Sequence, residues 1–352
     1  MRVLGRDGGD GPVGHLGRYR ARDGSPGARV GVDLDRPHVV LIVGKRGAGK
    51  SYTMGVLAEE LATTGGVSPI LGDPMGAFRS LAAADCVPGR TVEPAVPAGA
   101  LSPRSWCALL GLDPEGAAGA LVWRAAREAD TLAGMAADVA GAEATRAARR
   151  AARNHLRLAE RWGVFDPDAA PLSGDGGCLV LPLAGRDRAA TNAVVAGVAD
   201  RCYERCVDAD AGRLPWLLLD EAHAFFEGVA STALRRLLTR GRGPGVSLVA
   251  ATQRPGALPA TAISQADLVV VHRLTGRADR EALAGARPAY LSGALDDRLP
   301  TAVGEALVID DATETVNTVT VRERLTPHDG ASPRASARAE TPSTDADTET
   351  VE

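Results

Sequence analysis

One eight-residue stretch constrains this chain more than any other: Gly44-Lys45-Arg46-Gly47-Ala48-Gly49-Lys50-Ser51. It fits G-x-x-x-x-G-K-[ST], a loop whose glycines let backbone N–H groups wrap a phosphate. Its flanks agree. Val39–Val43 is an apolar, mostly β-branched run that predicts a buried strand, and residues 51–62 predict a helix. The N-terminus of that helix adds a dipole favourable to an anion. Lys45 and Lys50 are the only two lysines in the chain, and every other strongly basic side chain is Arg. A compact ammonium can meet β- and γ-phosphates at Lys50 in a way that a planar, forked guanidinium cannot. The expected phosphate contacts are Gly44, Arg46, Gly47, Ala48, Gly49, Lys50, Ser51 and Tyr52.

A second motif completes the first. Leu217-Leu218-Leu219-Asp220-Glu221 is an apolar strand ending in two acids. Downstream of a phosphate loop, Asp220 is expected to hold Mg²⁺ together with Ser51, and Glu221 to orient or activate water. A water-activating Glu here argues against a nucleotide kinase. Further on, Val246–Thr252 predicts a buried strand that delivers Gln253 beside the γ-phosphate, just before Pro255.

Composition narrows the partners. Aromatic residues make up 3% of the chain, too few for a nucleic-acid surface built on base stacking. The formal net charge of -4 supplies no global basic field, so any DNA contact must come from a local patch or a channel between subunits. Arg146, Arg149, Arg150, Arg153 and Arg157 recur at helical spacing and form such a stripe, although most arginine stripes are simply solvated. The cysteines, Cys86, Cys107, Cys178, Cys202 and Cys206, are odd in number and lack paired metal spacing, so reduced thiols are expected. No apolar run reaches membrane-spanning length and no signal peptide is evident, which predicts a cytoplasmic protein.

Strands alternating with helices predict an α/β fold with a doubly wound, mainly parallel sheet. Residues 1–36 read as a short lead-in with one or two strands around 28–34. Residues 37–328 form the main domain, with an Ala- and Arg-rich helical insertion near 113–165. Pro88, Pro94, Pro97 and Pro103 break any long element before it. Residues 329–352 read as an acidic, disordered tail.

The motifs recur in a recognisable order. After the loop and Leu-Leu-Asp-Glu-Ala-His come Arg240-Gly241-Arg242-Gly243-Pro244-Gly245-Val246 and Ala251-Thr252-Gln253-Arg254-Pro255. Then follow Ile263-Ser264-Gln265-Ala266-Asp267, His272-Arg273-Leu274, Gly304-Glu305-Ala306 and Val321-Arg322-Glu323-Arg324-Leu325-Thr326-Pro327-His328. Over roughly residues 37–328 the chain resembles the HerA-type ATPases of archaea, relatives of the FtsK and VirB4 motor proteins. The resemblance implies a RecA-like ASCE P-loop NTPase fold, ATP and Mg²⁺ as cofactors, and a homo-oligomer, usually a six-membered ring. It implies a translocase or helicase acting on double-stranded DNA, with a NurA-type nuclease as partner. Lys50, Ser51, Asp220, Glu221 and Gln253 carry over as nucleotide residues. Asp73 matches the family's acid after the second strand, and it reads equally well as a turn acid before Pro74. Arg242 matches the arginine finger supplied to a neighbouring subunit, with Arg240 the second choice. The chain departs from the family in having only residues 1–36 where a β-barrel of roughly a hundred residues is usual. Ala77 stands where an acid is common, and Gly243-Pro244 replaces a more basic pair. These departures favour a second reading: an ATP-dependent switch or scaffold without translocation, in a defence, conjugation or other partner complex.

Overall fold

The computed structural model describes residues 1–21, 23–169, 176–285 and 298–328. The expected acidic tail at 329–352 lies outside the described residues. The strands are β1 (Arg2–Leu4), β2 (Val13–Arg20), β3 (Pro26–Asp33), β4 (Val39–Val43), β5 (Val67–Asp73), β6 (Gly89–Thr91), β7 (Cys178–Pro182), β8 (Leu214–Leu219), β9 (Ser247–Thr252), β10 (Leu268–Val271), β11 (Glu305–Asp310) and β12 (Thr315–Val321). The helices are α1 (Lys50–Thr63), α2 (Arg79–Ala83), α3 (Pro103–Leu109), α4 (Ala117–Glu128), α5 (Leu132–Gly141), α6 (Arg146–Arg161), α7 (Arg188–Val207), α8 (His223–Phe226), α9 (Ser231–Arg240), α10 (Ala260–Ser264) and α11 (Arg277–Gly285).

All the strands belong to one 12-stranded sheet, ordered β1-β3-β2-β12-β11-β10-β4-β9-β8-β5-β7-β6. From β10 to β6 every neighbouring pair is parallel, and the antiparallel pairings run from β10 through β11, β12 and β2 to β3. Both faces are covered, which is why the central strands read as continuous apolar runs. Val39, Leu41 and Val43 of β4 face one core with α4–α7 and α9, while Val40 and Ile42 face the other with α1 and α2. This is the doubly wound α/β architecture expected from the alternation of elements. The parallel order puts the carboxyl ends of β4, β9, β8 and β5 side by side, and open α/β sheets bind ligands at such ends.

One expectation needs correction. Residues 1–36 hold three strands and not a lead-in with one or two. Their signal is masked by glycines that let strands approach closely: a Cβ on Gly17 would lie 2.0 Å from the Thr320 carbonyl oxygen across the β2–β12 pairing. Leu4, Leu16, Val30, Val32 and Leu34 join the α1 side of the core. As the prolines of 81–112 predict, no long element forms there, and Pro103 starts the seven-residue α3. It occupies the first turn, where a missing N–H costs nothing, and the Ser102 hydroxyl accepts the Ser105 N–H.

After β12 the chain crosses α1 as a strap over residues 322–328. The Glu59 carboxylate, fully buried on α1, anchors it. It accepts from Arg322 Nη1 at 2.8 Å, the Leu325 and Thr326 N–H groups at 3.0 and 2.9 Å, and the Thr326 hydroxyl at 2.7 Å. Burial pushes the Glu59 pKa up, but these hydrogen bonds outweigh it and hold the carboxyl below its usual range. The Arg324 side chain lies against Gly55, where a Cβ would come within 2.7 Å of the guanidinium carbon. Replacing Glu59 by Ala leaves the Leu325 and Thr326 donors without their acceptor and takes a buried carboxylate from Arg322, so the expected loss is roughly 3–5 kcal/mol. Urea unfolding measures it; a shift below about 1 kcal/mol would show that the strap is anchored elsewhere.

Candidate nucleotide site

The loop between β4 and α1 is shaped by glycine where the backbone demands it. Gly47 and Gly49 have φ of 72° and 114°, in the left-handed region that other residues seldom enter. A Cβ on Gly47 would meet nothing within 4 Å, so its surface faces open space. Behind the loop stands His272, fully buried at the end of β10, and a Cβ on Gly44 would come within 2.7 Å of its Cβ.

The His272 ring fixes the loop to its surroundings. Its Nδ1 lies 2.8 Å from the Glu305 carbonyl oxygen, which can only accept, so Nδ1 carries the proton. Its Nε2 therefore accepts from the Thr53 hydroxyl, 2.8 Å away. Burial pushes the imidazole down to about 4; the Glu305 hydrogen bond opposes the shift and the Lys50 ammonium adds to it. An unfolded His titrates near 6.5, so between these values the unfolded chain binds more protons. Stability therefore rises with pH through the window from about 4 to 6.5 and is lost as pH falls through it. A His272→Gln variant lacks this dependence. Wild type should lose about 3 kcal/mol more than the variant between pH 6.5 and 4, read by urea unfolding at each pH. Parallel curves for the two proteins would contradict the buried neutral ring.

Lys50, the first residue of α1, is buried, with Nζ 3.3 Å from the Lys45 carbonyl oxygen. Burial lowers its pKa, and the Glu221 and Asp220 carboxylates pull it back up. Next to it the Ser51 hydroxyl donates to Asp220 Oδ2 at 2.8 Å, joining the two motifs across 169 residues. Asp220 is buried and its carboxyl is raised, chiefly by burial. Glu221 has a φ of 48°, an unusual backbone for a residue with a Cβ, and such strain collects at functional sites. Its Oε2 is buried without a hydrogen-bond partner.

These residues fit Mg²⁺. Hard cations take oxygen ligands, and Mg²⁺ is commonly held by one or two carboxylates plus the phosphates of a substrate. Ser51 and Asp220 supply adjacent oxygens. Among the described residues no group of three or more His, Cys, Asp or Glu could hold an ion without such help.

The other expected residues divide. Gln253 is half-buried directly after β9, and Thr252 pairs with Val43, so it stands level with the start of the phosphate loop. Arg46 is exposed on the loop and its charge reaches Glu221. Asp73 is buried at the end of β5, with both oxygens occupied by the Ala77 and Phe78 N–H groups at 2.9 and 3.0 Å. That geometry is what a turn acid requires, and the Asp73 charge also reaches Asp220 in the site. The Tyr52 hydroxyl accepts the Arg324 N–H at 2.8 Å and its ring meets His328 edge-on, so Tyr52 is engaged by the strap. Arg242 is not brought to this site. It pairs with Asp267, whose other oxygen accepts the Val39 N–H at 2.7 Å at the far end of β4. Five strand residues, about 13 Å, separate it from the loop. Exposed Arg240, at the end of α9, precedes the same turn.

His272, Thr53 and Glu59 support the site without belonging to any phosphate motif. The available signal for His272 was its place directly after an apolar run, as the first polar residue beyond β10.

No protein-family model and no curated protein sequence matches the chain. Solved structures do. VirB4 of Thermoanaerobacter pseudethanolicus superposes with a TM-score of 0.67 over 90% of this chain and 97% of its own, at 17% identity. The bacterial conjugative coupling protein TrwBdeltaN70 superposes with a TM-score of 0.60 over 88% of this chain and 89% of its own, at 16% identity. The chain thus shares its α/β fold with VirB4 and TrwB, and in that fold the phosphate-binding motif follows β4 and the two acids follow β8.

Proposed function

We propose that this chain is an Mg²⁺-dependent ATPase that works as a DNA translocase in a homo-oligomeric ring. The observation that carries the ATPase reading is the junction of the two motifs. A Ser51–Asp220 hydrogen bond sits beside buried Lys50, and a buried Glu221 oxygen has no partner of its own. In this reading the loop N–H groups and Lys50 bind the β- and γ-phosphates. Ser51 and Asp220 hold Mg²⁺, whose charge offsets that of the phosphates when bound. Glu221 accepts a proton from the attacking water, and Gln253 orients that water from the end of β9.

The motor reading is supported by the fold shared with a conjugative coupling protein and by the placement of Arg242. An arginine at the far end of the strand is useless to its own site and available to a neighbour's. Exposed Arg146, Arg150, Arg153 and Arg157 on α6 give a phosphate-binding surface, whereas Arg149 is tied to the Ala142 and Ala144 carbonyls. A NurA-type nuclease is the partner such a motor would serve. Among the described residues no helix is long and apolar enough to cross a membrane, in keeping with action in the cytoplasm.

The test is ATP turnover with and without double-stranded DNA, with oligomer mass measured in the same buffer. DNA-stimulated turnover by a ring supports the motor. Turnover by a monomer that ignores DNA replaces it with the switch reading. An Arg242→Ala variant should bind ATP but turn over roughly 10³–10⁵-fold more slowly, the range for arginine fingers. Mixing it with Glu221→Gln subunits should restore part of the activity, because some interfaces then pair an intact Glu221 with an intact Arg242. Heteromers that form without regaining activity would exclude a finger acting between subunits.

A further inference from the structure

We propose that His223 is a positioning residue that couples the end of β9 to the direction in which the Glu221 carboxylate points. The proposal rests on the catalytic reading of Glu221 above. His223 opens α8, two residues after Glu221. Its Nδ1 stands between two oxygens, Thr252 Oγ1 at 3.1 Å and Glu221 Oε2 at 3.4 Å. Thr252 Oγ1 already accepts the Arg254 N–H at 3.0 Å, which leaves its own proton to donate to His223. Glu221 Oε2 is the buried oxygen without a hydrogen bond.

The backbone around Glu221 is pinned, so the side chain is the movable part. The Glu221 N–H donates to Asp220 Oδ1 at 2.9 Å, and the Ala222 N–H donates to the Ala251 carbonyl at 2.9 Å. The left-handed φ of 48° holds the Cα–Cβ direction. What remains is rotation of the carboxylate, and the group facing its orphan oxygen is His223 Nδ1. A neutral imidazole carries one proton, so this nitrogen either accepts from Thr252 or donates to Glu221, never both. Thr252 is the residue before Gln253. A shift at the end of β9 that loosens the Thr252 contact lets the part-exposed ring give up its Nε2 proton to solvent and take one at Nδ1, and in that tautomer Nδ1 donates to Glu221. A shift that tightens it releases Glu221. The ring thereby links the residue beside the γ-phosphate to the residue that prepares water.

Steady-state ATP hydrolysis and ATP binding decide the matter for His223→Ala, His223→Asn, Glu221→Gln and the Glu221→Gln/His223→Ala double variant. His223→Ala should lower kcat by about 10–100-fold, the cost of a misplaced catalytic group, with ATP affinity unchanged. His223→Asn, whose amide can accept from Thr252 and donate to Glu221, should recover part of the loss. On the Glu221→Gln background, His223→Ala should cost nothing further, because the group it positions is gone. Thr252→Val is the second route if His223→Ala does not fold. It removes the competing hydroxyl, leaves both partners in place, and should change kcat at constant ATP affinity. The proposal falls if His223→Ala keeps wild-type kcat, if its loss is the same on both backgrounds, if Asn is no better than Ala, or if Thr252→Val has no effect. Wild-type turnover by Glu221→Gln itself is a different result. It would remove the catalytic reading of Glu221, whereas an inactive Glu221→Gln beside a fully active His223→Ala removes only the positioning role.

Discussion

A Lys50→Ala variant is expected to lose ATP turnover by at least about 10²–10³-fold, the cost of removing one preorganised donor to developing phosphate charge. ATP binding should weaken with it. Lys50 is buried beside Asp220 and Glu221, so the substitution leaves two neighbouring carboxylates without their cation. Each then repels the phosphates that Lys50 would have met. The fold should survive, because the side chain is held by a single long contact to the Lys45 carbonyl and lies outside both apolar cores. Isothermal titration with ATP, turnover and urea unfolding separate these effects. Turnover within tenfold of wild type would show that the loop does not serve hydrolysis.

Glu221→Gln should behave differently. It should still bind Mg-ATP, while kcat falls by about 10²–10⁴-fold, the usual contribution of a positioned base. The carboxylate that supplies this chemistry is a burden to the fold. Burial, and then the Asp220 carboxylate, raise the Glu221 pKa above its ordinary value, against the pull of Lys50 and Arg46. A raised carboxyl means that the folded chain binds more protons than the unfolded one, so stability falls as pH rises from the usual Glu range through the raised pKa. The amide has the same shape and no charge to lose. At neutral pH the variant should therefore be at least as stable as wild type. A variant that is markedly less stable would point to a carboxylate engaged in structure, not held ready for water.

The parts of this site written in the sequence are those in which one residue type performs a local task. Gly47 and Gly49 need left-handed backbone, Lys50 and Ser51 open a helix, and Asp220 and Glu221 end an apolar strand. Each of these can be read within ten residues. Asp73 shows where local reading stops. Its residue type and position fit two roles, and the fold gives it both the Ala77 and Phe78 N–H groups of a turn and a charge that reaches Asp220. His272, Glu59 and Arg322 were harder still, because their partners are remote. Glu59 is one of two adjacent acids on α1, with nothing to single it out until Thr326 arrives from 267 residues away. Of the three strands before β4, β3 matches the expectation around 28–34, while β1 and β2 were missed for a similar reason. Their apolar residues pack on α1, and the Gly17 and Gly31 that permit close pairing weaken any β signal.

That remote pairing has a cost during synthesis. β2 and β3 leave the ribosome long before β12, yet β2 gains its second neighbour only when Tyr19 meets Val319 of β12. The Gly5 N–H waits for the Asp310 carboxylate, 305 residues later. Contacts of such sequence separation form slowly, and an open strand edge is a template for pairing with other nascent chains. A chain truncated ahead of Thr315 would keep both nucleotide motifs. It would still present that bare edge, with the outer face of the phosphate-loop helix uncovered.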